Sequence, residues 1–402
     1  MTVLLNILYI LFLIIQLIFA VYLLIPFLFV ASHFVLKLFK MKDPYEKKDF
    51  ITDKEFDFGV IITAHQETRF IFPLVDSILK QTFGNFHVYI VADDCDVTSL
   101  QFTDHRIIVL KPEPSLHTKI KSIQYALSNL CRKHDSIVIL DADNLIHPSF
   151  LQTMNNYFRK GYRVVQADFK PKNTDTLYAR MDAIGDMFNF FIEREMRMKL
   201  GLSSAIWGSG VAIDLELYNE VEYSNFLGGF DKKLQAHLVQ RVHQIAFAPQ
   251  AVLFDEKISS GKSLENQRTR WISSYFKYFK ESFLIVLKGV KKMNFNLVYF
   301  GFITLRPPLF IVLAVGLAIT VANYFINPVF FIIWISILGS FLLSFICIVA
   351  MKGKSIRYMQ AFFMMPLFIL RQSVALLNIK KAKKSFLKTQ HTKLIFIDDL
   401  LC

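Results

Sequence analysis

Cysteine is scarce in this chain, with four residues in 402. Cys95, Cys131, Cys347 and Cys402 lie far apart and lack paired spacing, which supports neither a zinc site nor a disulfide framework. Charge is missing from long stretches as well. No Lys, Arg, Asp or Glu occurs from Val3 to Leu36, from Pro307 to Phe325, or from Val329 to Ala350. With 53% hydrophobic residues and a mean hydropathy of +0.38, these gaps exclude a purely soluble protein. The first stretch exceeds the roughly 20 residues needed to cross a bilayer. No basic residue precedes it and no small-residue cleavage site is evident, so a retained anchor is expected rather than a cleaved signal peptide. The other two stretches, joined by Ile326-Asn327-Pro328, read as a helical hairpin. A further segment, Tyr358 to Leu370, is short, is interrupted by Pro366 and is followed by Arg371, which suits an interfacial or re-entrant helix.

Acidic residues are outnumbered, 33 against 46 Lys and Arg, for a net charge of +13. The excess flanks the apolar stretches: Lys37, Lys40, Lys42, Lys47 and Lys48 follow the first, Lys288, Lys291 and Lys292 precede the hairpin, and Lys352, Lys354 and Arg357 follow it. The positive-inside rule therefore predicts a multi-pass protein of the cell (inner) membrane with its middle portion in the cytoplasm. Anionic headgroups attract such lysines. Nucleic acid is excluded as a partner, because the charge borders the spans and no recognition motif accompanies it.

Between about Phe56 and Phe254 short apolar runs alternate with helical periodicity. Strands are expected at Phe58 to Thr63, Phe86 to Ala92 and Ile137 to Leu140, with helices at Phe70 to Lys80 and Lys119 to Cys131. That alternation predicts an α/β domain with a parallel sheet, whose ligands bind beyond the carboxyl ends of the strands. Polar clusters follow each strand there: Ala64-His65-Gln66-Glu67, Asp93-Asp94-Cys95-Asp96 and Asp141-Ala142-Asp143. In an extended chain residues i and i+2 point the same way, so Asp141 and Asp143 can address one ligand. Hard carboxylate oxygens at that spacing suit Mg2+ or Mn2+ with phosphate oxygens completing the shell. Taken alone, the doublet equally describes a turn after a strand. Three acidic strand ends on one edge repel each other unless a cation or hydrogen-bond donors compensate.

These residues, together with Gln267-Arg-Thr-Arg-Trp271 ahead of the membrane hairpin, resemble the membrane-bound family 2 glycosyltransferases of GT-A (Rossmann-like) fold, including processive β-glycan synthases. The resemblance runs from Phe56 to Trp271 plus the flanking helices. It implies a cytoplasmic catalytic domain at 50–275 between an anchor at 1–40 and a membrane region at 301–379, with an interfacial segment at 276–300 and a cytoplasmic tail at 380–402. It also implies a nucleoside pocket lined by Ala64, Glu67 and Asp93 or Asp94, with Gln66 where the family has Asn. Lys119 is similar to the Lys that opens the next helix. Asp143 would bind the cation and Asp141 the ribose or donor sugar. Gln267, Arg268 and Arg270 would add donors to the diphosphate, and Trp271 would stack on an acceptor sugar; an interfacial anchor is the plainer explanation of that Trp and Arg. Trp207-Gly208-Ser209-Gly210 resembles the loop beneath the acceptor, assigning Gly208 and Ser209 there, although glycines equally mark an ordinary turn.

Inverting transfer requires a general base. The family's base is the Asp of a Thr-Glu-Asp element, which corresponds here to Gly229-Phe230-Asp231, so Asp231 is the candidate even though Phe230 replaces the Glu. An N-cap is the structural alternative. The resemblance thus implies a metal-dependent, inverting transfer of a sugar from a nucleotide sugar, a UDP-sugar by preference, to a glycan or lipid-linked acceptor in cell-surface polysaccharide or glycolipid synthesis. Two clear spans are few for an export channel, which would call for a homo-oligomer or an export partner. A non-catalytic scaffold with a degenerate nucleotide-binding domain would have lost Asp141, Asp143 or Asp231, and all three are present. The tail run Phe386 to Thr392 is a candidate gate over the site, with a polar surface tail as the default.

Overall fold

The computed structural model describes residues 2–223, 228–353, 355–377 and 392–401. Its centre is a sheet of eight strands, β1 (Phe58–His65), β2 (Phe86–Asp93), β3 (Ile107–Leu110), β4 (Ser136–Asp141), β5 (Leu145–Ile146), β6 (Val164–Pro171), β7 (Val211–Asp214) and β8 (Ala246–Asp255), in the order β3-β2-β1-β4-β7-β6-β8-β5. The β3-β2-β1-β4 half is parallel, as the alternating pattern predicts. The expectation of a wholly parallel sheet fails at β7, which runs antiparallel to β4 and β6, and at β5, which runs antiparallel to β8. Both reversed strands are very short, and β7 follows directly on the Trp207 to Gly210 loop, so neither leaves a periodic signature.

Register sets the site. Thr63 lies beside Asp141 and His65 beside Asp93, so the carboxyl ends of β1, β2 and β4 finish at one level. Alternate residues of β1 face opposite layers. Val60 and Ile62 pack with Ile71, Leu74, Val75 and Ile78 of the Ile71–Leu79 helix, whereas Ile61 packs with Ile120, Ile123 and Ala126 of the Lys119–Ser128 helix. Spacings of three and four put each apolar stripe on one helix face. Thr118 caps the second helix through Lys121 N–H, which fixes where Lys119 leaves the backbone.

Among the described residues three helices are long and apolar enough to cross a membrane, Val3–Leu38, Leu309–Ile326 and Pro328–Gly353, matching the charge-free stretches. Gln16 is their shared polar joint: its side-chain oxygen accepts from Asn323 Nδ2 at 2.8 Å and from Trp334 Nε1 at 2.7 Å, and all three residues are buried. Lipid offers no alternative partner, so these bonds specify how the first helix seats on the hairpin. The segment after the hairpin divides into helices Ile356–Phe362 and Met365–Leu377, each too short to span. The second packs along the Gly261–Lys277 helix, with Arg371 Nη1 bonded to Glu265 Oε1 at 2.7 Å. The tail run Phe386 to Thr392 lies outside the described residues except for Thr392. Thr392 and Lys393 donate their N–H groups to the Glu256 carboxylate at 2.8 and 3.0 Å, and Lys80 pairs with Asp398 at 2.6 Å. The end of the chain therefore rests on the sheet domain.

The sheet domain meets the membrane helices through a π-helical turn, Phe191–Glu195. Glu193 pairs with Arg306 at 2.7 Å and Glu195 with Lys352 at 2.5 Å, one at each end of the hairpin. Burial alone would raise the Glu193 carboxyl, but Arg306, Arg197 and Arg194 outweigh it and hold the group at about 2.

Two predictions follow from these joints. Gln16→Leu should cost about 1 kcal/mol, a typical figure for an interhelical hydrogen bond in lipid, read by detergent-titrated unfolding; unchanged stability would contradict the joint. Because the Glu193 value is depressed from 4.5, its stabilisation is complete above that pH and is lost as pH falls toward about 2. Comparing melting temperature against pH, Glu193→Gln should lose stability at neutral pH and show a flatter acid dependence than the parent protein.

Candidate functional site

The acidic doublet sits where β4 turns back to β5. Asp141 N–H is held by Asn144 Oδ1 at 2.9 Å and Ser209 Oγ at 3.0 Å, and the Ser209 hydroxyl donates to Asn144 Oδ1. Asn144 and Ser209 are buried and spend their polar atoms on this turn. Ser209, expected beneath an acceptor, thus shapes the acidic turn from behind. Lys172, also buried, donates from Nζ to the Asp143 carbonyl. The carboxylates of Asp141 and Asp143 stay partly exposed. Lys119 Nζ bonds the Asp141 carboxylate and donates to the Gly208 carbonyl at 2.7 Å, joining the start of its helix to the end of β4 and the Trp207 loop. Gln166, buried in β6, pins that loop from below: its oxygen accepts Trp207 N–H at 2.8 Å, and its amide donates to the Ser209 and Gly210 carbonyls at 3.0 Å.

The nucleoside-side residues fall into two kinds. Asp93 is only 1% exposed, and its carboxylate accepts Leu116 N–H at 2.6 Å and His117 N–H at 2.7 Å while facing His65 Nδ1 at 3.1 Å. It orders the chain between β3 and Lys119. Asp94 has a positive φ of 54° and is exposed, and its carboxylate accepts from Gln66 Nε2 at 2.7 Å. Asp94 also lines an open cleft together with Cys95, Asp96, Lys111, Pro112 and Glu113. Ala64 is buried at the end of β1, and Glu67 pairs with Arg69 at 3.3 Å.

The Gly261–Lys277 helix, capped by Ser260, brings the Gln-Arg-Thr-Arg-Trp run to the other side. Its two arginines part company. Arg268 turns into the interior, where Nη2 meets Asp182 Oδ1 at 2.5 Å and the guanidinium lies 4.1 Å from the Trp271 ring centroid. Below it Lys257 pairs with Asp186 and with Asp255 at 2.6 Å, and burial pushes the Asp255 carboxyl up to about 7. Arg270 is mostly buried: burial pulls its guanidinium below the usual value, and the charge of Asp141 opposes that shift. Gln267 Oε1 is a buried acceptor without a hydrogen-bond partner among the described residues. Trp271 is 40% exposed, with its ring 5.9 Å from that of Trp207.

Asp231 lies in the first turn of the Phe230–Leu238 helix, whose N-cap is Gly229, so Asp231 does not serve as the cap. Gly229 has φ +69°, and a Cβ there would stand 2.7 Å from Tyr278 and 2.9 Å from Ser274, so only glycine lets this turn lie on the Gly261–Lys277 helix. Phe230, at the position of the family's Glu, is buried against Gly208 and has Lys119 Nζ 5.2 Å from its ring centroid. Burial, with Asp231 nearby, pushes the Tyr278 phenol up to about 12. Asp231 itself keeps Lys232 at 4.0 Å. Phe230 thereby links Asp231 to the Lys119–Asp141 pair.

The donor set suits a hard divalent cation: two partly exposed carboxylates on one turn. The unpartnered Gln267 Oε1 and the Arg270 guanidinium add polar atoms from the facing helix. Asn144, Gln166 and Lys172 were not singled out from the sequence, and Phe230 was noted only as the residue replacing the family's Glu. A polar Gln inside the apolar run Val164-Val-Gln-Ala was the available signal for one of them, and the rest have meaning only once β6, β7 and the loops are folded together.

No curated protein matches the chain in sequence. Among solved structures it is similar to a mannosyltransferase from Pyrobaculum calidifontis in complex with GDP-Man and Mn2+, with a TM-score of 0.52 and 16% identity over 88% of this chain and 98% of that one. S. aureus TarS 1-349 gives a TM-score of 0.41 at 15% identity, covering 85% of this chain and 94% of that one. Residues 56–274, more than half of the chain, match the family described as Glycosyltransferase like family 2. The β4-end acidic turn, the mixed α/β sheet behind it and this match lead to one conclusion: the chain belongs to that family, a glycosyltransferase of GT-A fold.

Proposed function

We propose that the protein is a membrane-anchored, inverting glycosyltransferase that takes a sugar from a nucleotide sugar, a UDP-sugar by the sequence reading, onto a glycan or lipid-linked acceptor at the cytoplasmic face of the cell membrane. Its product would enter cell-surface polysaccharide or glycolipid synthesis. The observation that supports this most is the acidic turn that carries Asp141 and Asp143, where Lys119 bonds the Asp141 carboxylate and the Gly208 carbonyl. The basic residues at the ends of the apolar helices support the cytoplasmic orientation.

In this mechanism the nucleoside lies by Asp94 and its cleft, and the diphosphate lies between the acidic turn, Lys119, Gln267 and Arg270. Asp143 with Asp141 would hold Mg2+ or Mn2+, which would supply Lewis-acid neutralisation of the leaving diphosphate. The Asp231 carboxylate takes the proton of the acceptor hydroxyl as that oxygen bonds to the anomeric carbon, and the bond from carbon to diphosphate breaks on the opposite face. Trp271 and Trp207 offer aromatic surface to the acceptor sugar, which fixes the hydroxyl without contributing charge. The Pyrobaculum calidifontis protein was solved with GDP-Man and Mn2+, which supports a nucleotide sugar and a divalent cation in this reading while favouring no base.

Substitutions separate the roles. Asp231→Asn should lower kcat by about a hundred- to ten-thousandfold with nucleotide affinity little changed, measured by nucleotide release and by calorimetry. Lost nucleotide binding would instead mark Asp231 as structural. Asp143→Ala should abolish the stimulation of nucleotide release by Mn2+ or Mg2+; stimulation that survives would contradict its assignment. The two arginines should diverge: Arg270→Ala loses turnover in a folded protein, whereas Arg268→Ala strands the buried Asp182 carboxylate and costs roughly 3–5 kcal/mol of stability. Equal effects of both substitutions on turnover and on melting temperature would refute that division.

A further inference from the structure

A second cluster of ligating side chains lies at the opposite end of the sheet. His87, second residue of β2, meets Cys131 and His134 from the loop before β4, and one ligand atom from each lies within 4.8 Å of the others. Asp57, just ahead of β1, stands behind them with Oδ2 3.0 Å from His134 Nδ1. Tyr89 closes the group: its hydroxyl lies 2.8 Å from His134 Nε2 and 3.0 Å from Cys131 Sγ. The His87 Nδ1 atom is buried without a hydrogen-bond partner among the described residues. Gly59 makes room for the His134 ring, since a Cβ there would stand 3.0 Å from it. The pocket is thus shaped around an imidazole with the Asp57 carboxylate 3.0 Å from one nitrogen and the Tyr89 hydroxyl 2.8 Å from the other.

We propose that His87, Cys131 and His134 bind one zinc ion, separate from the catalytic doublet. A thiolate with two imidazoles is a soft and borderline donor set, which selects zinc over Mg2+ or Mn2+. Asp57 Oδ2, 3.0 Å from His134 Nδ1, is placed to orient a ligating histidine, and zinc at Nε2 would take the place of the Tyr89 hydroxyl there. On binding, the Cys131 thiol gives its proton to solvent and the thiolate becomes the ligand. The site ties together the amino ends of β1, β2 and β4. Asp141 and Asp143 lie beyond the carboxyl end of β4, and its six residues at about 3.3 Å each separate the two sites by roughly 20 Å. Sequence spacing gave no zinc motif because the three ligands come from two separated segments that only the parallel pairing of β1 with β2 and β4 brings together.

Cobalt tests this directly, because a thiolate bound to Co2+ gives a near-ultraviolet charge-transfer band that a carboxylate site does not. The full chain, purified in detergent, stripped with chelator and titrated with Co2+, should show that band and lose it on adding one equivalent of zinc. Cys131→Ser, at an exposed position, should abolish the band and leave nucleotide release intact; Asp143→Ala should leave the band unchanged. Asp57→Asn should weaken zinc affinity by about ten- to a hundredfold. Absence of the band in the parent protein would overturn the proposal, as would its persistence in Cys131→Ser, which would put the metal at another thiol.

Discussion

The ion pair between Lys119 and Asp141 is the contact on which the site depends. One ammonium touches the carboxylate at the end of β4, the Gly208 carbonyl and the face of Phe230. Those three partners belong to the strand carrying the acidic turn, the loop beneath the aromatic pair and the helix bearing Asp231. Parallel pairing explains how a lysine can reach all of them. β1 sets the level of both neighbours, so the helix that enters β4 begins at the same edge where β4 ends. Thr118 then fixes the first turn of that helix, and the side chain of the next residue crosses the edge.

A second constraint lies under the Gly261–Lys277 helix. Asp182, Asp186 and Asp255 face Arg268 and Lys257 in a buried charged layer. Such pairs lose hydration on burial and are stable only while every partner is present, so they favour one arrangement of the helix over near alternatives. The helix carries Gln267, Arg270 and Trp271 on one face, at spacings of three and four residues, and packs on membrane-proximal helices, while Glu193 and Glu195 tie the neighbouring π-helical turn to both ends of the hairpin. The chemistry therefore sits on an element shared by the sheet domain and the membrane region.

Much of this was legible in the sequence. The first half of the sheet, its two flanking helices and the three apolar spans announced themselves through uninterrupted apolar runs or clean helical periodicity. The acidic turn could be located because a buried strand ended in two carboxylates. The reversed strands β5 and β7 were hidden because two and four residues carry no period. The different directions taken by Arg268 and Arg270 were hidden too. Two residues apart on a helix they point about 200° apart, but only the fold decides which of them meets Asp182. Ser209 and Asn144 show the same limit, since their roles are hydrogen bonds to a turn distant in sequence or visible only once the backbone is placed.

Nucleotide release from a panel of UDP- and GDP-sugars by the purified full-length protein, followed with Mn2+ or Mg2+ and again after chelation, tests the central claim most directly. Release from at least one donor that requires the cation and rises with an acceptor is the predicted result. No release from any donor in the presence of either cation would contradict a catalytic role for the Asp141 and Asp143 turn.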